Sequence, residues 1–285
     1  MDMTRPIAAA IAVLLASRSA AQSPTTAHEV RAYKRVGADS LVMHIFRPIG
    51  AASSRSAVAL FHGGGFVWGG PEITDGSAAD YRAQGLVAFS VQYRLADRKR
   101  VTPLEQLEDT YDAMRWIRAH AAEYGIDPNR LAAHGVSAGG LLVGMTAGAA
   151  DDVRPNALIL LSPGVGSATA ADPYLDELLL GRAKSADVLP VRHMKAPMPP
   201  AIIISGQFDS VTFDGLARRY CERFEAVRGR CEIHTYPGLG HLLTRKLDAR
   251  SQLSGHFDWD PEASADANAK VTTFLRSIGF IPKAP

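Results

Sequence analysis

Short apolar runs recur along the chain at Ala57 to Phe61, Leu86 to Tyr93, Leu131 to His134, Ala157 to Leu161, Ala201 to Ser205 and Cys231 to Tyr236. Runs this brief, bounded by glycine or polar residues, predict strands buried on both faces of a sheet. Between them the apolar positions change to helical spacing. Leu107, Tyr111, Met114 and Ile117 mark a helix within Leu104 to Tyr124, and Leu216, Tyr220, Phe224 and Val227 mark another within Asp214 to Arg228. Ahead of all these, Val30 to Val36 and Leu41 to Arg47 flank the turn-forming Gly37-Ala38-Asp39-Ser40 and predict an opening hairpin. Strands alternating with helices imply an α/β fold, a mostly parallel sheet covered by helices on both faces.

Two stretches break the alternation. Val165 to Met198 and Leu242 to Ala263 are longer than ordinary connections, and long segments in compact domains tend to be lids or binding loops. Both follow predicted strands, so both project from the carboxyl edge of the sheet, where open α/β sheets bind ligands.

Composition sharpens this picture mainly by exclusion. The chain has 285 residues, 47% hydrophobic and 21% charged, with a formal net charge of +2. It fits one large domain with no interior linker. Charges are scattered without long like-charged runs, which gives no footprint for nucleic acid or an anionic membrane. The cluster Arg98-Lys99-Arg100 reads as a solvated loop. At the start, Arg5, the apolar run Ile7 to Ala16 and the small residues Ser19-Ala20-Ala21 have the layout of a secretory signal cut after Ala21. The expected partition is a signal peptide at 1–21 and one domain at 22–285, exported to the periplasm or secreted; the alternative is a buried first helix. The two cysteines, Cys221 and Cys231, stand ten positions apart. Either they form a disulfide, as an oxidising compartment permits, or Cys221 packs as a free thiol on the apolar stripe of its helix.

Candidate chemistry lies in two glycine-rich turns. In "AAHGVSAGGLL", Gly135-Val136-Ser137-Ala138-Gly139 has the Gly-x-Ser-x-Gly pattern between a predicted strand and a helix starting near Ala138. A sharp strand-to-helix turn exposes the serine hydroxyl and aims helix N–H groups at developing negative charge. A helix cap would account for Ser137 but not for the flanking glycines. In "LFHGGGFVWGG", His62-Gly63-Gly64-Gly65 follows a strand directly, and a loop without side chains lets its N–H groups approach a substrate oxygen. It lacks the lysine and hydroxyl residue of a nucleoside-triphosphate loop and the spacing of a dinucleotide fingerprint.

With these stretches "VQYRLA", "GIDPNRLAAHGVSAGG", "PPAIIISGQFD" and "YPGLGH" occur in order. The chain thereby resembles the hormone-sensitive-lipase-like bacterial esterases and acetyl esterases of the α/β-hydrolase fold, from the first strand to the last helix. The resemblance implies an eight-stranded, mostly parallel sheet with a small cap or none. It also implies Ser137 as nucleophile, His241 as base, Asp209 as acid, and the N–H groups of Gly64, Gly65 and Ala138 as the oxyanion hole. His256 is the one histidine farther along and reads as a surface residue; His62, His134 and His234 lie in or beside strands. Asp214, the competing acid, reads as an N-cap of the helix that follows it. Two positions depart from the pattern: Val136 stands where many relatives carry an acid, and Ala96-Asp97-Arg98 where many show Ala-Pro-Glu.

The expected activity is hydrolysis of small carboxylic esters through an acyl-enzyme, without cofactor or metal and without nucleic-acid or membrane partners; the oligomeric state stays open. A serine peptidase of the prolyl-oligopeptidase type, a non-catalytic binding protein on the same fold and a nucleotide-binding protein are the alternatives. The two long stretches lack a broad apolar surface, which predicts acyl groups of about two to four carbons. Trp259 would suit a polar ring on the alcohol side, such as an acetylated sugar.

Overall fold

The computed structural model describes residues 28–49, 54–166 and 172–282; the expected signal peptide at 1–21 lies outside them. Strand β3 (Ala57–Phe61) shows how the sheet is held. Ala57, Ala59 and Phe61 enter one apolar core while Val58 and Leu60 enter the other, and all five are fully buried. A strand reads as a continuous apolar run when both its faces are covered.

The hairpin β1 (Glu29–Val36) and β2 (Asp39–Phe46) joins antiparallel to β4 (Val87–Val91). From there β3, β5 (Leu131–Val136), β6 (Ala157–Leu161), β7 (Ala201–Gly206) and β8 (Cys231–Tyr236) are parallel. The eight strands lie in the order β1, β2, β4, β3, β5, β6, β7, β8. Helices α1 (Asp75–Ala83) and α7 (Pro261–Ser277) contribute Tyr81, Val271 and Phe274 to the core on one face. Helices α2 (Pro103–Ala119), α3 (Ala138–Thr146) and α5 (Asp214–Ala226) contribute Met114, Leu142 and Phe224 to the other.

Some boundaries differ from the periodic pattern for local reasons. Helix α2 starts at a capping box, with Thr102 Oγ1 accepting from Leu104 N–H and Glu105 accepting from Thr102 N–H. It ends at Ala119, five residues before Tyr124, in a turn closed by Gly125 at φ +65°. Ala121, Tyr124 and Ile126 remain buried, so the apolar spacing outlives the helix. Asp214 is the first residue of α5, not its cap: its carboxylate accepts from Thr235 Oγ1 and Arg218 Nε. Cys221 on α5 and Cys231 at the start of β8 form a disulfide, with Cα atoms 5.4 Å apart. Cys221 is buried in the same core as Tyr220 and Phe224, as its place on the apolar stripe suggested, but as half of the disulfide and not as a free thiol.

Strand β5 buries His134, whose Nδ1 lies 3.1 Å from the Tyr81 hydroxyl. Burial lowers its pKa from 6.5 to about 4, because the charged imidazolium loses its hydration. Between those values the unfolded chain binds a proton that the folded chain does not, so stability falls as pH drops from 6.5 to about 4 and is undiminished above. The loss is on the order of 3 kcal/mol. Urea unfolding across this range should show a shallower pH slope in His134→Gln than in the wild type. An unchanged slope would mean that His134 does not supply it.

Candidate active site

Parallel strands deliver all the candidate residues to one edge. The carboxyl ends of β3, β5, β7 and β8 lead respectively to the glycine loop, Ser137, Asp209 and His241. Ser137 sits at the turn from β5 into α3 with φ 52° and ψ −116°, a conformation costly to a residue with a side chain. It occupies the cap position of α3 but makes no side-chain capping bond. The turn is tight enough that a Cβ on Gly139 would lie 2.2 Å from Phe61 O, which explains the glycine there.

The hydroxyl of Ser137 is instead 3.0 Å from His241 Nε2, and His241 Nδ1 is 2.8 Å from Asp209 Oδ2. The three side chains, on residues up to 104 positions apart, thus form one line of hydrogen bonds. A carboxylate facing Nδ1 requires the proton on that nitrogen, which leaves the Nε2 lone pair toward Ser137. The side chains of His241 and Asp209 are 4% and 0% exposed. Burial raises the Asp209 pKa, but hydrogen bonds from His241 and from the N–H groups of Thr212 and Val211 outweigh it and hold the carboxyl below its ordinary range. Asp209 therefore stays anionic at neutral pH without solvent.

The glycine loop runs directly beside the nucleophile: a Cβ on Gly63 would stand 3.1 Å from Ser137 Cβ. The loop folds back through Gly64 O, which accepts from Val67 and Trp68 N–H. Gly64, Gly65 and Ala138 N–H groups have no acceptor among the described residues. His62 anchors the base of the loop. Its Nδ1 donates to Gly63 O at 2.6 Å, and the Tyr93 hydroxyl donates to His62 O at 2.7 Å. His134 is buried against Tyr81, His234 is on β8 and His256 is exposed. None of these three occupies the line through Ser137.

Several neighbours of this line carry no motif. Thr212 donates to Asp209 Oδ2 from its hydroxyl, and Ser162 Oγ accepts from Leu242 N–H just past His241. Tyr174, on the short helix α4 (Pro173–Leu178), donates to Gly65 O at 2.6 Å. The connection between β6 and β7 thus reaches the glycine loop, as its position at the carboxyl edge suggested. The Phe257 ring stands 6.0 Å from the His241 ring, with Trp259 stacked on it at 5.9 Å. Gln252, on α6 (Ala249–Ser254), is buried and bonds the backbone on either side of Asp209 and at His241. Tertiary structure is what shows most of these links: the partners of Gln252, Ser162 and Tyr174 lie 11 to 109 positions away.

Among the described residues one group, His28, His44 and Asp75, brings metal-ligand atoms within 4.8 Å of one another. His44 Nδ1 already pairs with both Asp75 oxygens, at 2.9 and 3.0 Å, and the His28 ring stacks on His44.

Comparison with known proteins finds esterases among the similar chains. A family described as alpha/beta hydrolase fold matches residues 58–245. Esterase LipI of Mycobacterium tuberculosis is 29% identical over 209 residues, covering 65% of this chain and 64% of LipI. Carboxylesterase NlhH of the same organism is 28% identical over 250 residues, 76% of this chain and 77% of NlhH. The chain therefore spans just under two thirds of the first relative and about three quarters of the second. Among solved structures, the thermophilic esterase Est2 of the planctomycete Thermogutta terrifontis in its propionate-bound form has a TM-score of 0.76 at 28% identity, covering 92% of this chain and 98% of that one. The same esterase has been solved with butyrate.

Proposed function

This chain belongs to the α/β-hydrolase fold family, and from that premise we propose that it is a serine carboxylesterase acting on short-acyl esters. The observation that carries the reading is the unbroken line from Asp209 through His241 to the Ser137 hydroxyl. The esterase names of its relatives support it.

His241 Nε2 takes the Ser137 proton as Oγ attacks the ester carbonyl. Asp209 holds the imidazole orientation and stabilises the imidazolium that forms. The carbonyl oxygen becomes an oxyanion that accepts from the N–H groups of Gly64, Gly65 and Ala138. As the tetrahedral species collapses, His241 returns the proton to the departing alcohol and leaves an acyl group on Ser137. Water then attacks the acyl-enzyme with His241 again as base, releasing the acid and restoring the serine. Every step uses side chains and backbone groups of this chain.

Two features support a small acyl group. Tyr174 ties the β6–β7 connection onto the glycine loop through its bond to Gly65 O. A similar esterase accommodates propionate and butyrate. On the alcohol side, Phe257 lies beside the histidine that protonates the leaving group, and Trp259 exposes 59% of its surface next to it. A ring-bearing polar alcohol, such as an acetylated sugar, would stack there. A panel of esters and acetylated sugars tests both points. kcat/KM is expected to peak at acyl groups of about two to four carbons and to fall by roughly tenfold or more per methylene beyond the limit. An optimum near eight carbons, or activation at an oil–water interface, would overturn the short-acyl reading. Faster turnover of acyl-matched amides would favour a peptidase.

A further inference from the structure

We infer that Gln252 is a positioning residue for the reaction, holding the acid and the base in register through one buried amide. The inference rests on the serine mechanism proposed above. Asp209 and His241 come from loops after different strands, β7 and β8, and their mutual geometry depends on how those loops are joined beyond the end of the sheet. The last direct backbone link before Asp209 is Phe208 N–H to Leu239 O, at 2.8 Å. Past it, Gln252 takes over. Its Oε1 accepts from Ser210 N–H at 2.9 Å and from His241 N–H at 3.0 Å, and its Nε2 donates to Phe208 O at 3.3 Å. The side chain therefore grips the residues on both sides of the acid and the backbone of the base itself.

The amide is built in. Gln252 is 2% exposed, and a buried amide that bonds at both ends is held in one orientation. A Cβ on Gly240 would lie 2.5 Å from Gln252 Nε2, so the residue before His241 must be small for the amide to approach. Helix α6 that carries Gln252 is itself fixed at both ends. Asp248 accepts from Ser251 N–H at 2.8 Å, and Gly255 closes the helix at φ +74°. Gln252 touches neither the substrate oxygen nor the reacting hydroxyl. Its effect must pass through the Asp209–His241 hydrogen bond, and a displacement of about 1 Å in such a contact is enough to slow a reaction by roughly 100-fold.

The test compares Gln252→Met, which keeps the length and removes both polar atoms, with Gln252→Glu, which keeps an acceptor oxygen for the two N–H groups. Folding is checked by circular dichroism and activity is measured well below the unfolding temperature on a short-acyl ester. Gln252→Met is expected to lower kcat by about 100-fold with KM changed by less than about threefold, and to slow fluorophosphonate labelling of Ser137 in parallel. Gln252→Glu is expected to recover at least about tenfold of that loss, because the shared acceptor is what positions the two loops. Wild-type kcat in a folded Gln252→Met, an equal loss in both variants, or a loss confined to KM would each overturn the inference. If Gln252→Met does not fold, Gln252→Asn, one methylene too short to reach both loops, is held to the same split between kcat and KM. The broader reading fails separately: it falls if Ser137→Ala retains turnover, whatever the Gln252 variants do.

Discussion

Ser137→Ala is expected to lower kcat on the order of 10⁶-fold while leaving the fold intact. The size follows from the way the site is assembled. Ser137 Oγ is the end of the hydrogen-bonded line, and in the proposed reaction the later steps of His241 act on an acyl group that only this oxygen can carry. The substitution deletes one atom at a position whose side chain makes no helix-capping bond. Stability should therefore change little, and the backbone strain at φ 52° remains in both proteins. Steady-state rates with short-acyl esters, set beside thermal unfolding of both proteins, decide the point; a folded variant with wild-type-like turnover would show that the nucleophile is elsewhere.

Asp209→Asn is expected to cost about 10⁴-fold in kcat, because an amide cannot hold the Nδ1 proton as the carboxylate does and would favour the wrong imidazole tautomer. The two N–H groups on Oδ1 and the Thr212 hydroxyl on Oδ2 would still find an amide of nearly the same shape. The loss should thus appear in kcat more than in stability. Asp214→Asn is the control. Asp214 bonds Arg218 and Thr235 at the start of α5, so its loss should cost about 1 kcal/mol or less of stability and little rate. Rates and unfolding free energies for the two variants would reverse this pattern if Asp214 were the acid.

The strands and the sharp turn around Ser137 were legible because their signals are local. A strand buried on both faces, such as β3, must be apolar at every position, and the turn around Ser137 must have glycine where Gly139 passes Phe61 O. Helix ends were less legible. The apolar spacing that runs from Leu107 to Tyr124 describes a buried face, and that face continues past Ala119 into a turn with no change of period. Asp214 showed a related limit: a helix-favouring acid near an N-terminus looks the same one position either way. The cysteines could not be decided from spacing, because ten residues fix no distance between a helix and the following strand; the fold brings their Cα atoms to 5.4 Å. Gln252, Thr212 and Ser162 carry no pattern at all. Thr212 reaches Asp209 within one loop, while Gln252 and Ser162 meet their partners only when the ends of β6, β7 and β8 and helix α6 converge. The long stretch Leu242 to Ala263 was legible as a wall of the site, but its buried amide, directed at the acid and base loops, was not.

The most direct test of a serine esterase mechanism is to identify the residue that carries the acyl group. The enzyme is quenched with acid during turnover of an activated acetate ester, digested and mapped by mass spectrometry. Acetyl is expected on the peptide containing Ser137, formed at a rate fast enough to support turnover, and is expected to be absent in Ser137→Ala. Acetyl on another residue at a competent rate, or turnover that leaves no acyl group on Ser137 at any quench time, would contradict it.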